Sequence, residues 1–281
     1  MAFSQTLALL SITLAAAIVN GALGYGFSSI TVPVALLFLS NRVLNPALVL
    51  VEVVLNGYVI VTNRAAVPLV FPRVLPVLVG LIPGVIGGTI IISQVSPGWL
   101  KLATYIVLLP LILFQAAGWR RPIRAERAAG LVFGGGLGVL YSVTTISGPP
   151  LAVALNNQGF SKQEFRAALG LIRFAESCMT AIAYLAAGLF TAASLALVPG
   201  FLASVLIGVP IGAFVIRHVR SETFRRVCMS FDASIVSFGI STLLRDLHVI
   251  EGYGAYSVMA AVIVIDAVLL FRFFKRPLAG R

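Results

Sequence analysis

Long apolar stretches separated by short polar segments run along almost the whole chain. Seven of them are uninterrupted and close to the roughly 20 apolar residues that a membrane-crossing helix needs. They cover residues 45–63, 74–93, 98–117, 166–189, 193–216, 226–244 and 253–271. Two further stretches, 5–41 and 128–156, are also apolar, but each contains a cluster of glycine, proline and hydroxyl residues. The pattern predicts transmembrane helices, two of which are broken.

The two breaks occupy equivalent places in the two halves of the chain. The first covers residues 21–33 and the second covers residues 138–150, an offset of 117 residues. Such clusters free backbone N–H and C=O groups, which survive inside a membrane only where protein or a water-filled cavity covers them. A matched pair of breaks in two halves is a sequence signature of a transporter binding site.

Composition supports membrane insertion. The chain is 59% hydrophobic and only 10% charged, its mean hydropathy is +1.05, and a soluble domain is usually about one-quarter charged. The first 41 residues contain no Lys or Arg, so the basic start of a cleavable signal peptide is missing and we expect Met1 to be retained. Cys178 and Cys228 lie in apolar segments and are expected to be small buried hydrophobes.

The distribution of basic residues predicts the orientation, because Lys and Arg are enriched in cytoplasmic loops. The uncharged link near Leu189 suits the outside. Counting membrane crossings from this outer link and from the Arg-rich links places both ends of stretch 128–156 in the cytoplasm and both ends of stretch 5–41 outside. Each of these two stretches is therefore predicted to enter the membrane and return as a hairpin. The links predicted to be cytoplasmic hold Arg120, Arg121, Arg124 and Arg127, then Arg217, Arg220, Arg225 and Arg226, and finally Arg272, Lys275, Arg276 and Arg281.

The predicted fold is therefore an all-α polytopic membrane protein with two inverted-topology repeats. Each repeat is a broken-helix, re-entrant hairpin followed by three transmembrane helices, and one extra helix follows the second repeat. Residues 1–281 form a single membrane domain. Its parts are a first repeat (1–118), a cytoplasmic linker (119–127), a second repeat (128–246), and an extra helix with a basic cytoplasmic tail (247–281). The offset of 117 pairs Gly21 with Gly138, Pro33 with Pro150 and Ala35 with Ala152.

The glycine-rich segments resemble those of the sulfite exporter TauE/SafE family. The resemblance rests on the break leading into Pro33, on its repeat from residue 134 to Pro150, and on the glycine-rich third helices around residues 83–88 and 208–212. It implies a bacterial inner-membrane exporter or permease for small sulfur-containing anions such as sulfite, sulfoacetate or other organosulfonates. Where the commonest family pattern has a run of glycines before each proline, this chain has residues 27–29 and 144–146 instead.

Hydroxyl groups at the breaks are candidates for holding an anion. A helix N-terminus offers unpaired N–H groups and a favourable dipole, and each return arm begins at a break. Two hairpin tips entering from opposite sides would grip the anion between them. The alternative is that these hydroxyls only satisfy the broken backbone. The candidates are Tyr25, Ser28, Ser29 and Thr31 in the first break and Tyr141, Thr144, Thr145 and Ser147 in the second, supported by the tip backbone at Gly24, Gly26, Pro33, Gly148, Pro149 and Pro150.

Five charged residues fall inside apolar spans, where a charge is a functional hypothesis by default. Arg173 can offer its planar fork to an oxyanion, or it can form a structural pair with Glu176 at i+3. Asn56, its counterpart by the 117 offset, is a further substrate-binding candidate. A carboxyl group held away from water can take up a proton, so Glu52 or Glu176 can couple transport to the proton gradient or form a packed ion pair. Asp232 is expected to form bonds within the helix bundle, and Asp266, in the extra last helix, is expected to be structural or interfacial.

No cofactor, metal site or enzyme chemistry is expected from the sequence. There is no Ser/His/Asp set and no metal-ligand cluster, and residues 134–136 lack the Lys-Ser/Thr of a phosphate-binding loop. The expected partners are a small anion and the lipid bilayer, with a homodimer left open and nucleic acid excluded. The leading hypothesis is a secondary transporter coupled to the proton gradient. The alternatives are an anion channel of the same architecture or a transporter of another small organic anion.

Overall fold

A computed structural model describes residues 3–117, 126–156, 160–215, 218, 221–250 and 252–275 of the chain. Most of the predicted linker 119–127 lies outside these residues, as do Arg217, Arg220, Arg276 and Arg281. All regular structure in the described part is helical. The helices are α1 (Phe3–Leu23), α2 (Phe27–Ala35), α3 (Asn41–Thr62), α4 (Val67–Gln94), α5 (Pro97–Ala117), α6 (Glu126–Thr144), α7 (Gly148–Asn156), α8 (Lys162–Ala186), α9 (Ala192–Leu195), α10 (Val198–Val215), α11 (Ser221–Asp246) and α12 (Ser257–Lys275), with short 3₁₀ turns at Arg64–Ala66 and Gly252–Tyr256.

Seven helical segments are long and apolar enough to cross a membrane, by length and composition alone, within the described residues. This confirms the predicted all-helical, polytopic class. One of the seven is residues 5–23 of α1, which the sequence analysis treated as one arm of a hairpin. With 21 residues, α1 is about 31 Å long, which is longer than a mid-membrane hairpin requires. The re-entrant path of this segment therefore stays a prediction.

Both predicted breaks interrupt the helices where the glycine and hydroxyl residues cluster. Helix α1 ends at Leu23 and α2 starts at Phe27, with Gly26 at φ 111° as the residue before α2. In this left-handed region a side chain is strained, so glycine is required. The second break lies between α6 and α7, and Thr145 has a φ of 55° there. Helices α2 and α7, the predicted return arms, each have nine residues and are about 13 Å long.

The position of Pro33 differs from the prediction. The sequence analysis counted it among the hairpin-tip residues, but it lies inside α2, two residues before the end of that helix. Its carbonyl accepts a hydrogen bond of 2.7 Å from the hydroxyl of Tyr105 on α5. Pro149 and Pro150 follow Gly148 in the first turn of α7, where proline is tolerated because that N–H has no helical partner.

Glycines bring helices from the two halves of the chain into backbone contact. Helix α4 packs along α6, and α10 packs along α1. A Cβ added at Gly84 would collide with the carbonyl of Gly135, and one added at Gly212 would collide with the carbonyl of Ile18. Small residues allow this approach between membrane helices, where packing replaces the hydrophobic effect as the source of association. The glycine-rich segments of α4 and α10 are therefore interface residues.

The remaining central contacts also join the two halves. Helix α3 packs against α8, and α5 packs against α11. The helix boundaries of the two halves correspond at an offset of 121 residues around the breaks, since α2 and α3 start at Phe27 and Asn41 and α7 and α8 start at Gly148 and Lys162. The offset of 117 inferred from sequence identities is therefore wrong by about one helical turn. At an offset of 121, the position that corresponds to Arg173 is Glu52 and no longer Asn56.

Local signals explain where several helices begin and end. Ser161 and Glu164 form a capping box at the start of α8, in which each side chain accepts a hydrogen bond from the other residue's backbone N–H. Arg42 donates to three carbonyls at the end of α4, those of Ile92, Ser93 and Val95. A cation at this position satisfies the last carbonyls and complements the helix dipole.

Helix α12 is attached to the rest of the molecule by a buried ion pair. Arg226 on α11 donates to Asp266 on α12 at 2.7 Å, and to the backbone carbonyl of the same residue at 3.2 Å. The structural role expected for Asp266 agrees with this contact. Cys178 and Cys228 are free thiols and are partly buried.

Candidate functional site

The two breaks lie against each other in the interior. A Cβ added at Gly148, the first residue of α7, would lie 3.3 Å from the Cβ of Tyr25 in the first break. Tyr25, Thr144, Thr145 and Ser147 are all buried. The start of α7 is therefore close to the first break. This contact brings together side chains that are more than a hundred residues apart in sequence.

Glu52 on α3 is the centre of a buried hydrogen-bond group. Its carboxylate accepts hydrogen bonds from Arg173 at 2.8 Å and from the hydroxyl of Tyr141 at 2.7 Å. The hydroxyl of Ser28, in the first turn of α2, also donates to it. Glu52 is fully buried and Arg173 is 2% exposed. Four elements, α2, α3, α6 and α8, thus supply one carboxylate and three donors.

Arg173 pairs with Glu52 rather than with Glu176. From the sequence, the structural alternative for Arg173 is an i+3 pair with Glu176, but the ion pair joins α8 to α3, across the two halves. The i+3 spacing only places both side chains on one face of α8. A charged partner on a neighbouring helix lies closer to the guanidinium, so the tertiary contact replaces the local one.

A second layer of polar contacts surrounds this ion pair. The side-chain amide of Asn56 donates to the hydroxyl of Ser177 at 3.2 Å, and that hydroxyl lies 3.0 Å from the hydroxyl of Tyr141. Ser177 also donates to the carbonyl of Arg173 at 2.7 Å. Sequence reasoning missed Ser177. Its position one turn after Arg173 on the same helix is the signal that would have found it.

Glu176 bonds to the second break. Its carboxylate accepts a hydrogen bond of 2.5 Å from the hydroxyl of Ser147. Its other oxygen, Oε1, is buried and has no hydrogen-bond partner among the described residues. Each break therefore presents one serine hydroxyl to one buried glutamate, Ser28 to Glu52 and Ser147 to Glu176.

Several donors at this centre are left unused. The Nε and Nη1 atoms of Arg173 are buried and have no hydrogen-bond partner within the described part of the chain, and the same holds for the hydroxyl of Thr31 on α2. Buried polar atoms are normally paired, so each exception needs an explanation. A guanidinium with two free donor atoms has the capacity to bind an oxyanion.

The two threonines of the second break serve the backbone instead. The hydroxyl of Thr144 donates to the carbonyl of Leu140 at 2.7 Å and accepts from the N–H of Ile146 at 3.0 Å. The hydroxyl of Thr145 donates to the carbonyl of Thr144 at 2.7 Å. In this arrangement both hydroxyls satisfy backbone groups that the break has freed, as the alternative reading of the sequence had it.

A third acidic side chain, Asp232 on α11, lies beside the first break. It lines a cavity together with Tyr25, Gly26, Ser29 and Pro149. Asp232 is 5% exposed, and its Oδ1 atom has no hydrogen-bond partner among the described residues. The bonds within the bundle that the sequence analysis expected for Asp232 are therefore absent for this oxygen. No group of three or more potential metal ligands occurs within the described part of the chain.

These features define a class of protein: a multi-pass membrane protein with a buried charged group where two broken helices meet. The model of one protein family, described as Sulfite exporter TauE/SafE, matches residues 9–237. The chain belongs to this family, as its glycine-rich segments predicted, and it is a membrane transporter of a small anionic substrate rather than an enzyme. The match ends within α11, so α12 lies outside it. A search of curated proteins and of solved structures gives no match.

Proposed function

We propose that this transporter is a secondary exporter or permease of small sulfur-containing anions such as sulfite, sulfoacetate or other organosulfonates. The observation that carries the proposal is Arg173, a buried guanidinium with two unused donor atoms at the place where both breaks meet. The planar fork of an arginine matches the oxygens of a sulfite or sulfonate group. Family membership supplies the sulfur-anion class as the expectation for the substrate.

We infer that the carboxylate of Glu52 lies at the place that the substrate anion takes. It accepts hydrogen bonds from Arg173, Tyr141 and Ser28, which is the set of donors that a dehydrated oxyanion requires. A sulfonate that displaces Glu52 finds these donors already oriented, together with the unused atoms of Arg173. Substrate and Glu52 therefore compete for one donor set, held between the two hairpin tips.

Competition at this site provides a route to proton coupling. Protonation of Glu52 removes its charge, so the carboxyl group binds Arg173 less strongly and an anion can replace it. Glu176 is the second candidate, because it bonds to the tip serine of the other break. In either case one proton accompanies the anion, and low pH on the loading side favours anion binding.

The proposed transport cycle uses two inverted repeats that rock around the central site. Support comes from the helix order, which recurs from α1–α5 to α6–α11, and from contacts that join equivalent helices of the two halves, α3 with α8 and α5 with α11. The proposed orientation has a basic C-terminus in the cytoplasm of a bacterium, with the protein in the inner membrane. A homodimer is compatible with this arrangement.

Cysteine labelling tests the orientation. A cysteine introduced in the link after α5, near residue 120, and one near residue 157 should both react only from the cytoplasmic side, and one at Leu189 should react only from outside. If residues 120 and 157 are labelled from opposite sides, α6 and α7 do not form a hairpin and the repeats are not inverted.

Flux into proteoliposomes tests the function. The purified chain should accumulate labelled sulfite or sulfoacetate against its concentration when a pH gradient is imposed, and Arg173→Met should abolish this accumulation. The matched control is Arg226→Met, which removes the buried arginine that pairs with Asp266 on α12. Flux that does not saturate and does not respond to the gradient would identify a channel. No flux of any sulfur anion, with flux of another organic anion, would overturn the substrate class.

A further inference from the structure

A cavity of about 30 Å³ lies on a different side of α2 from Glu52. Ser28 donates to Glu52, whereas the next residue, Ser29, lines this cavity. The remaining walls come from α1, the first break, α5, α7 and α11, and Asp232 is the acidic residue among them. A volume of this size holds about one particle as large as a water molecule.

Asp232 differs from the other buried acidic side chains of the described residues. Glu52 and Asp266 are paired with arginines, and Glu176 accepts a hydrogen bond from Ser147. Asp232 takes part in no ion pair or side-chain hydrogen bond within the described part of the chain, and its Oδ1 is buried. Burying an ionised carboxylate without a partner is very costly. Its charge must therefore be neutralised by a bound proton or by another cation.

Among the described side chains, the groups that face Asp232 offer no positive charge. Cys228 lies one turn earlier on α11, and Tyr25 lines the same cavity. On the helices packed against α11, the nearest titratable groups are engaged elsewhere: the hydroxyl of Tyr105 on α5 with the carbonyl of Pro33, and Asp266 on α12 with Arg226. Helices α1 and α2 contain no titratable side chain.

The backbone around the cavity also favours a cation. Helix α1 ends at Leu23, which lines the cavity together with Val19, one turn earlier. The C-terminal end of a helix carries unpaired carbonyls and a partial negative charge. The interrupted helices of transporters use such ends to hold Na⁺ or protons. Asp232, the end of α1 and Ser29 therefore all lie at the wall of one small space.

We propose that Asp232 and this cavity form a further coupling-cation site of the transporter, which takes a small monovalent cation, either a proton or Na⁺. Accumulation of the anion then requires this site in addition to the proton-linked carboxylate of the anion site. This inference rests on the proposed transport function. The cation site and the anion site share the tip of the first break, because Ser28 and Ser29 are neighbours on α2. Pro149, at the start of α7, lines the cavity as well. A cation at Asp232 thus stabilises the same tip arrangement that presents Ser28 to the anion.

Transport assays with Asp232→Asn separate coupling from anion movement. Proteoliposomes are loaded with unlabelled sulfite to measure counterflow, which needs no gradient. Accumulation of labelled sulfite is then driven by a pH gradient without Na⁺, or by a Na⁺ gradient at equal pH. In the wild type, the gradient that drives accumulation identifies the cation. Asp232→Asn should lose this accumulation and retain counterflow. The matched control is Asp246→Asn, at the exposed end of the same helix, which should retain both.

Thermal stability gives a readout that does not depend on transport. The Tm of the purified wild type should rise with added Na⁺, at constant ionic strength set by choline chloride, or change with pH if the cation is a proton. Asp232→Asn should show neither response. Wild-type accumulation by Asp232→Asn, or an unchanged Tm response in that variant, would overturn the proposal. If the wild type moves no anion but its Tm response requires Asp232, the proposed substrate fails and the cation site stands.

Discussion

The described part of the protein contains two buried arginine–carboxylate pairs that differ in what surrounds them. Arg173 and Glu52 join the two halves of the chain beside both breaks, whereas Arg226 and Asp266 join α11 to the last helix. The two pairs are nearly equal in length, at 2.8 Å and 2.7 Å, and both arginines leave Nε and Nη1 without a partner in the described part of the chain. Unused donor atoms alone therefore do not mark a binding site.

The surroundings of the carboxylate make the difference. Glu52 also accepts from Tyr141 and Ser28, each next to a break, while Asp266 is bonded only to Arg226 among the described contacts. An anion that replaces Glu52 gains three oriented donors, but one that replaces Asp266 would gain a single arginine. The difference indicates that a buried ion pair can serve as an anion-binding site when further hydrogen-bond donors point at its carboxylate.

The largest expected difference in transport between the two pairs follows from replacing each arginine by lysine. Arg173→Lys should lose anion transport although the charge is kept, because an ammonium group cannot reproduce the bidentate fork. Arg226→Lys should transport like the wild type. The measurement is the initial rate of sulfite uptake, with the affinity of the purified protein for sulfite. Near-normal affinity in Arg173→Lys would mean that this arginine only neutralises Glu52.

Removing both members of each pair distinguishes binding from stability. The double variants Arg173→Met with Glu52→Gln and Arg226→Met with Asp266→Asn leave no orphan buried charge, so both should fold. Removing one partner alone should cost about 3–5 kcal/mol of stability in either pair. Only the first double variant should lose sulfite binding. Equal binding by the two double variants would contradict the distinction between the pairs.

The close approach of the two breaks predicts a smaller but clear effect of Gly148→Val. A Cβ at this position lies 3.3 Å from the Cβ of Tyr25, so the added methyl groups must separate the tips. Uptake should fall strongly while the Tm changes little. The control is Gly136→Val on α6, where an added Cβ meets nothing within 4 Å. Normal uptake by Gly148→Val would show that the tips need not be in contact.

Glu52→Gln is expected to have the smallest effect on the amount of transport. It should instead change how sulfite binding depends on pH. The variant leaves Arg173 without its resident anion, so added sulfite should raise the Tm more than in the wild type, since a ligand stabilises the state it binds. Sulfite affinity should also lose its increase at low pH. Asp266→Asn should show neither change. If the sulfite affinity of Glu52→Gln depends on pH as it does in the wild type, Glu52 is not the carboxylate whose protonation allows sulfite to bind.

Much of the architecture followed from periodicity and composition. The apolar stretches predicted the helices, and the clusters of glycine and hydroxyl residues predicted where two of them break, because both signals are local. The glycine-rich segments of α4 and α10 pointed to the family, which is confirmed over residues 9–237. The register between the halves was wrong by four residues, because chance identities in a chain rich in glycine and alanine outweighed the helix boundaries.

The sequence by itself determined which side chains carry charge into the membrane, since Glu52, Arg173, Glu176, Asp232 and Asp266 all interrupt apolar stretches. Only the tertiary structure decided which of them meet. Arg173 had a partner available at i+3, but the crossing of α3 and α8 brings Glu52, 121 residues away, to 2.8 Å. Asp232 had no visible role until the packing of α11 against the first break placed it on a cavity. The physical reason is that an ion pair depends on distance in space, which helix crossing sets and local spacing does not.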